Sequence, residues 1–249
     1  MKAVILAGGF GKRMGDLANK IPKPMIEIKN KPLLEHQIEL FKKYKIRELL
    51  ICVHHLPKKI MDYFEDGSEF GVHIRYSMEE DAMGTAGALK LAEDFFDERA
   101  IVMYGDNFTD MNLDNFAKFH AEKKSFAAIA LHKKKITEKS SSAVIMGNDS
   151  RITKFIERPD ENNKINELKK FSSEFRYVNA GIYIIEPEIM SFIPKKKFDF
   201  GCDLFPLLLE KNKNIYGYPI PENEIYREIG TLEKLNALRK DVERKEAEQ

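Results

Sequence analysis

Residues 2–14 read KAVILAGGFGKRM. The apolar run at 3–7 predicts a short buried strand, and the strand runs directly into three glycines between positions 8 and 11. In an open α/β sheet, ligands bind beyond the carboxyl ends of the strands, and glycines there let the backbone approach a bound phosphate. Arg13 adds a planar guanidinium that suits polyphosphate oxygens. The stretch therefore predicts an anion-binding turn at the edge of an α/β sheet.

Two better-known phosphate loops do not fit this stretch. A Walker A loop requires Ser or Thr after its Gly-Lys pair, but Arg13 follows Gly11-Lys12. A dinucleotide-binding loop requires a third glycine at the position that Met14 occupies. A Rossmann dehydrogenase is therefore disfavoured, and the glycine turn needs another explanation.

Outward from the turn, short apolar runs alternate with amphipathic stretches as far as residue 131. This alternation predicts an α/β fold with a Rossmann-like, mostly parallel sheet and helices on both faces. After residue 131, short strands joined by polar turns predict a small antiparallel lobe beside the sheet. We predict an exposed loop at 160–173 and a charged terminal helix at 232–248. No internal repeat or linker divides the chain, which predicts a single domain over 1–249.

Composition narrows the range of partners. The chain has 41 Lys and Arg against 40 Asp and Glu, a net charge of +1, so we expect no nucleic-acid partner and no membrane partner. No stretch is apolar for long enough to span a bilayer. The two cysteines, Cys52 and Cys202, lack metal-ligand spacing, which is typical of a reduced cytoplasmic protein. The oligomeric state stays open, with a homo-oligomer as one option.

The glycine stretch, taken with Pro22-Lys23-Pro24, resembles the opening of the sugar-1-phosphate nucleotidyltransferases. The resemblance implies that the turn carries the nucleotide phosphates and that Arg13 holds the leaving pyrophosphate. It also implies that Lys23 bridges the two reacting phosphates. Fixed positive charge is physically reasonable here, because a phosphomonoester must approach a triphosphate of the same sign.

A magnesium site is predicted from two later motifs. Tyr104-Gly105-Asp106-Asn107 ends an apolar strand, and in the family the aspartate matching Asp106 binds catalytic Mg²⁺. Residues 226–231, YREIGT, match a motif usually written Asp-Ile-Gly-Thr, whose aspartate is the second metal ligand. Glu228 stands there and is one methylene longer, so it leaves the metal geometry open. By this resemblance Arg13, Lys23 and Asp106 are the catalytic residues.

The nucleoside is expected to lie on a second glycine stretch, residues 83–90, MGTAGALK. The family reads the base just upstream, where Glu79 is the best match and Glu80 a close rival. A carboxylate only accepts hydrogen bonds, so it favours guanine or cytosine donors over uracil or thymine. We therefore predict GTP, then CTP, over UTP or TTP. The predicted nucleotide contacts are Leu6, Ala7, Gly8, Gly9, Gly11, Lys12, Arg13, Glu79, Gly84 and Thr85.

The sugar phosphate is expected to bind to two motifs in the second half. Phe155-Ile156-Glu157-Arg158-Pro159 matches a Phe-x-Glu-Lys-Pro segment, in which Glu157 would hold sugar hydroxyls and Arg158 the phosphate. The strand at 177–183, YVNAGIY, matches a Val-Asn-Ala-Gly strand that presents Asn179 and Gly181 to the sugar. The resemblance thus divides the domain into a nucleotide-binding part (1–131), a sugar-phosphate-binding part (132–231) and a C-terminal helix (232–249).

Six partial motifs in the expected order predict a Mg²⁺-dependent enzyme that joins a sugar 1-phosphate to a nucleoside triphosphate and releases pyrophosphate. Residues 199–206, DFGCDLFP, are similar to a stretch of the mannose- and heptose-1-phosphate guanylyltransferase-like branch. Two alternatives stay open. One is a cytidylyltransferase acting on a different phosphomonoester, and the other is a non-catalytic nucleotide-sugar-binding regulatory protein.

Overall fold

The computed structural model describes residues 1–135, 142–157 and 175–247. Within these ranges the strands are β1 (Lys2–Leu6), β2 (Glu27–Ile28), β3 (Lys31–Pro32), β4 (Glu48–Val53), β5 (His73–Met78), β6 (Ala100–Tyr104), β7 (Asn107–Thr109), β8 (Ala127–Lys135), β9 (Ser142–Met146), β10 (Ile152–Glu157), β11 (Phe175–Ile185), β12 (Ile215–Pro219) and β13 (Tyr226–Glu228). The α-helices are α1 (Asp16–Lys20), α2 (Leu33–Lys43), α3 (Pro57–Phe64), α4 (Gly84–Lys90), α5 (Leu113–Glu122), α6 (Phe205–Glu210) and α7 (Leu232–Ala247). The loop predicted at 160–173 lies outside the described residues.

The central sheet has nine strands, of which β5, β4, β1 and β6 lie side by side and run parallel. Leu6 at the end of β1 pairs with Cys52 in β4 and with Tyr104 in β6, so these strands end at one edge. The chain builds the sheet outward from β1 through β4 and β5, and then continues with β6 on the other side of β1. Ligand crevices open at such a reversal, and the glycine turn follows β1 at this point.

Apolar side chains on both faces of the strands place the sheet between two hydrophobic cores. Val4 and Val102 face one core, which α4 and α6 cover. Ile5 and Ile51 face the other core, which α2, α3 and α5 cover. Because side chains alternate between the faces of a strand, a sheet covered on both sides requires nearly continuous apolar runs. The predicted α/β class, with helices on both faces of a mostly parallel sheet, is confirmed.

Strand β11 joins the second half of the chain to this sheet. It pairs antiparallel with β6, β8 and β9, and its register shifts between Asn179 and Tyr183. Gly181 lies in this shift with φ of +67°, a left-handed conformation that glycine adopts without strain. The strands β12 and β10 extend the sheet beyond β8 and β9. The antiparallel strands predicted to lie beside the sheet therefore continue it, and β2–β3 and β7–β13 form small separate pairs.

The C-terminal helix α7 packs over the beginning of the chain. A third apolar cluster joins Leu235 and Leu238 of this helix to Met14, Ile26 and Leu33. The helix spans Leu232–Ala247, which agrees with the prediction for 232–248 within the described residues. This packing brings the segment after β13 next to the segment that follows the glycine turn. In the part of the chain that the structure describes, no helix is both long and apolar enough to cross a membrane.

Candidate active site

The glycine turn lies against the ends of the neighbouring strands. The Ala7 N–H donates to the Cys52 carbonyl at 2.8 Å, which continues the β1–β4 pairing into the turn. A Cβ at position 8 would lie 2.9 Å from Oε1 of Glu79, the residue that follows β5. Glycine at this position therefore leaves room for the Glu79 carboxylate. Nothing lies within 4 Å of a Cβ at Gly9, so this part of the turn borders open space.

Arg13 is carried away from the turn by a short 3₁₀ segment. Gly11 has φ of +64°, and its carbonyl accepts the Met14 N–H at 2.8 Å. This geometry turns the chain sharply, because a left-handed residue at position 11 is followed at once by one helical turn. The side chain of Arg13 is 64% exposed. The side chain of Lys12, a predicted nucleotide contact, lies outside the described part of the chain.

Asp106 and Lys23 form the most buried ion pair of the site. Lys23 Nζ lies 2.5 Å from Asp106 Oδ2, with the two side chains 11% and 21% exposed. Gly105 makes this approach feasible, because its N–H donates to the Leu6 carbonyl and a Cβ there would lie 3.0 Å from Pro24 Cγ. Two residues predicted to be catalytic, 83 positions apart, are therefore in direct contact.

Gln37 supports the turn that carries Asp106, a role that the sequence analysis did not predict. Its buried amide Nε2 donates to the carbonyls of Tyr104 at 2.9 Å and Asn107 at 2.6 Å, on either side of Asp106. Asn107 in turn donates to the Ala180 carbonyl at 2.6 Å. A buried Gln among apolar residues of a helix was the only available signal, and it does not specify the partner.

Glu228 lies beside Asp106 because β13 pairs with β7. In this ladder Glu228 is opposite Asn107, and the Ile229 N–H donates to the Asp106 carbonyl at 2.8 Å. Glu228 Oε1 also accepts from Arg13 Nη2 at 3.0 Å. The late motif therefore returns to the carboxyl edge of the sheet and pairs with the strand that follows Asp106.

Gly230 leaves room for the ion pair between Arg13 and Glu228. A Cβ at position 230 would lie 2.9 Å from Glu228 Oε1 and 3.0 Å from Arg13 Nη2. Burial alone would raise the pKa of Glu228, but hydrogen bonds and charges from Lys234 and Arg13 outweigh it and lower that pKa. Glu228 is therefore held as an ionised carboxylate near neutral pH.

Glu79 and its rival Glu80 differ sharply in their surroundings. Glu79 is buried, its Oε2 accepts the Met83 N–H at 2.8 Å, and its Oε1 points toward Gly8. Burial raises the pKa of Glu79, and the Met83 N–H and the charge of His54 offset only part of this effect. Glu80 is exposed. Of the two carboxylates, Glu79 is the one that contacts the glycine turn.

The second glycine stretch is held against the segment after residue 197. A Cβ at Gly84, where φ is +75°, would lie 2.8 Å from the Phe198 carbonyl. The N–H and hydroxyl of Thr85 both donate to Asp199 Oδ1, at 3.1 and 3.2 Å. Gly84 and Thr85 thus tie the first half of the chain to the second half at this edge.

The predicted sugar residues reach the same edge through β11. Asn179 Nδ2 donates to the Tyr183 hydroxyl at 2.8 Å, and that hydroxyl donates to the Tyr104 hydroxyl at 3.1 Å. A Cβ at Gly181 would lie 2.7 Å from Tyr104 Cδ2, which explains the glycine. Glu157 packs closely on the backbone of Gly201, where a Cβ would lie 2.6 Å from its Oε2. Arg158 lies outside the described residues.

A separate cavity of about 700 Å³ opens near the opposite edge of the sheet. It is lined by residues at the start of β6, β8 and β12, and its polar members include Arg99, His120 and Glu186. His120 Nε2 lies 2.8 Å from Glu186 Oε1. None of the residues predicted for nucleotide, sugar or metal binding lines this cavity.

A glycine turn, two carboxylates on neighbouring segments and fixed cations lie at the reversal point of a mostly parallel sheet, which is where α/β proteins with open sheets bind their ligands. Comparison with known proteins makes the assignment specific. Residues 2–245 match the nucleotidyl transferase family, and the chain belongs to that family.

Relatives share this family over most of the chain. The chain is 36% identical over 230 residues to a UTP–glucose-1-phosphate uridylyltransferase of Synechocystis sp., covering 87% of this chain and 57% of the relative. It is 32% identical over 229 residues to a mannose-1-phosphate guanyltransferase of Debaryomyces hansenii, covering 88% and 59%. The chain thus spans less than two thirds of the length of these curated relatives.

A solved structure shows the same fold. It is that of a Bacillus anthracis protein assigned as a glucose-1-phosphate thymidylyltransferase, and it superimposes with a TM-score of 0.80. The alignment covers 97% of this chain and 96% of the other, at 24% sequence identity.

Proposed function

We propose that this chain transfers a nucleotidyl group from a nucleoside triphosphate to a sugar 1-phosphate and releases pyrophosphate. One observation carries the proposal. Asp106 immediately precedes β7 and Glu228 ends β13, the strand that pairs with β7, and each carboxylate contacts a cation, Lys23 or Arg13, from the segment that follows the glycine turn. The family assignment and the activities named for the relatives support the same reaction.

The reaction would be a direct in-line displacement. An oxygen of the sugar phosphate forms a bond to the α-phosphorus of the triphosphate, and the bond from that phosphorus to the bridging β-phosphate oxygen breaks. Pyrophosphate leaves with the electron pair of that bond. No general base is required, because the attacking phosphate is already ionised near neutral pH. The rate gain would come from alignment and electrostatic stabilisation.

Fixed charges of the chain are assigned to the two ends of this displacement. Lys23, with Arg158, would hold the attacking phosphate, and Arg13 with the amides of the glycine turn would take up charge on the leaving pyrophosphate. Glu157, Asn179 and Gly181 would contact the sugar. The nucleotide would thus occupy residues 1–131 of the chain, and the sugar phosphate would occupy 132–231.

The two carboxylates fit a magnesium ion. Each already holds a cation, because Lys23 Nζ lies 2.5 Å from Asp106 and Lys234 Nζ lies 2.6 Å from Glu228. Mg²⁺ typically takes one or two carboxylates and completes its shell with substrate phosphates and water. Among the described residues no cluster of three or more His, Cys, Asp or Glu is present. When bound, the ion would neutralise phosphate charge.

A screen of pyrophosphate release tests the proposed function. Four nucleoside triphosphates are combined with a panel of sugar phosphates and other phosphomonoesters, with Mg²⁺ present. We expect release that depends on both substrates. Binding of a nucleotide or nucleotide sugar without any release would instead support the non-catalytic regulatory protein, and release with a non-sugar acceptor and CTP would support the cytidylyltransferase.

Glu79 supports a preference for GTP, then CTP. Its Oε2 is engaged by the Met83 N–H, which leaves Oε1, beside Gly8, as an acceptor for base amino and imino groups. One named relative is a UTP–glucose-1-phosphate uridylyltransferase and the other is a mannose-1-phosphate guanyltransferase. Family membership alone therefore does not select the base. The proposed preference for guanine or cytosine therefore depends on this one buried carboxylate.

Glu79→Gln is expected to lower the ratio of kcat/KM for GTP over UTP by roughly tenfold to a hundredfold, the usual effect of losing a hydrogen bond to a charged group. The amide keeps the size of the side chain but turns one acceptor into a donor. Steady-state kinetics with both triphosphates measure the ratio. Glu80→Gln, at the exposed neighbouring position, is the matched control and should leave it unchanged. Wild-type enzyme that works best with UTP or TTP would remove the argument.

A further inference from the structure

The Glu228 carboxylate is shared between cations from two distant parts of the chain. Oε1 accepts from Arg13 Nη2 at 3.0 Å, and Oε2 accepts from Lys234 Nζ at 2.6 Å. Arg13 follows the glycine turn, whereas Lys234 belongs to the first turn of α7. Both oxygens of the carboxylate are therefore engaged by cations of the chain itself.

Lys234 is held in place by the packing of its helix. The next residue, Leu235, is buried in the cluster that also contains Met14, and the Lys234 N–H donates to Thr231 Oγ1 at 3.3 Å. Gly230 keeps the backbone clear of the Arg13–Glu228 pair. The position of the ammonium beside Glu228 is thus built into the docking of α7, and it does not depend on a freely mobile lysine.

Asp106 repeats the same arrangement with Lys23. Each carboxylate of the proposed metal pair therefore carries a lysine ammonium. A divalent ion that approaches alone must displace an ammonium and also tolerate its positive charge at close range. A divalent ion that arrives with a triphosphate brings negative oxygens, to which the displaced ammonium can turn.

We propose that Lys234 is a positioning residue that holds Glu228 in place, competes with the metal for it, and moves to the triphosphate oxygens when metal and nucleotide bind together. This proposal rests on the nucleotidyl-transfer function and extends it to the order of binding. Lys234 would make the metal alone bind weakly and the metal–nucleotide pair bind strongly. The C-terminal helix would thereby take part in the site.

Lys234→Met tests the proposal. The binding of Mn²⁺ to this variant is measured by electron paramagnetic resonance in the absence of nucleotide. We expect Mn²⁺ to bind roughly threefold to tenfold more tightly, because a competing positive charge is removed from beside a dication. The binding of GTP in the presence of Mg²⁺ should weaken by a similar factor. Lys234→Arg keeps the charge and should restore weak Mn²⁺ binding. Lys240→Met, on the exposed side of the same helix, is the matched control and should change neither affinity.

Two further variants make the result decisive. Asp106→Asn should abolish Mn²⁺ binding, so that the spectrum of free Mn²⁺ is retained, and this result would confirm that the measurement reports this site. In the background of Glu228→Gln, Lys234→Met should no longer alter Mn²⁺ affinity, because its partner is gone. Unchanged or weaker Mn²⁺ binding in Lys234→Met alone would overturn the proposal, even with a lowered thermal midpoint, since that pattern describes a lysine that only anchors the helix. Failure of the nucleotidyl-transfer function is separate, because it would appear as wild-type protein that releases no pyrophosphate.

Discussion

Asp106→Asn is expected to reduce pyrophosphate release on the order of a thousandfold, which is the scale of losing one strong electrostatic contact to the reacting groups. Asparagine keeps the shape of the side chain but removes the negative charge that a hard divalent cation requires. The fold should survive, because Asp106 contributes its backbone carbonyl to the β7–β13 pairing through Ile229. Single-turnover kinetics at saturating triphosphate would measure the chemical step.

Asp114→Asn is the matched control for this variant. Asp114 is an exposed aspartate in the first turn of α5, and it is not assigned to metal or substrate binding. Its replacement should leave turnover within a factor of two. Near-normal turnover in Asp106→Asn, with the protein folded, would contradict both the role assigned to Asp106 and the proposed metal site.

Lys23→Met is expected to lower kcat by roughly a hundredfold to a thousandfold, because Lys23 would screen the repulsion between the two reacting phosphates. The loss should appear in kcat as well as in kcat/KM, since that repulsion is greatest at the transition state. Methionine keeps most of the length of the side chain and leaves the segment at Pro24 intact. Pre-steady-state measurement of pyrophosphate formation reports the effect.

Lys23→Met also leaves Asp106 without its ion-pair partner, so a loss of stability must be separated from a loss of catalysis. Lys20→Met removes a lysine from the last turn of α1 at an exposed position and should be nearly neutral. Thermal unfolding separates a folding defect from a catalytic one. A Lys23→Met protein that retains turnover within a few-fold of wild type would show that the reacting phosphates are screened by other groups.

Much of the fold could be predicted from local sequence, and the reason is physical. The buried strand β1 must be apolar on both faces because helices cover both sides of the sheet. The turn after β1 requires glycine at position 8, because a side chain there would collide with Glu79. Alternation of strands and helices similarly predicts a parallel sheet. The sequence did not predict that β11 would join both halves into one sheet, because that depends on the register shift around Gly181.

The candidate site, like the fold, has one part that could be predicted from the sequence and one part that could not. The types and order of its residues, from the glycine turn through Lys23 and Asp106 to the late motif at Glu228, could be read from sequence because each lies in a short motif with a chemical purpose. The supporting contacts could not be read. Gln37 reaches across 67 and 70 positions to the carbonyls that flank Asp106, and Lys234 gives no local sign that its partner is Glu228.

The sequence by itself predicted the α/β fold and, through the resemblance of its motifs, the nucleotidyl transferase family, because strand periodicity and short glycine motifs are local properties of a chain. Only the tertiary structure decided that Arg13 and Glu228, 215 residues apart, form one ion pair beside Asp106. It also decided that Glu79, and not Glu80, lies against the turn. Such contacts depend on how strands and helices dock, and docking is set by the packing of the whole core.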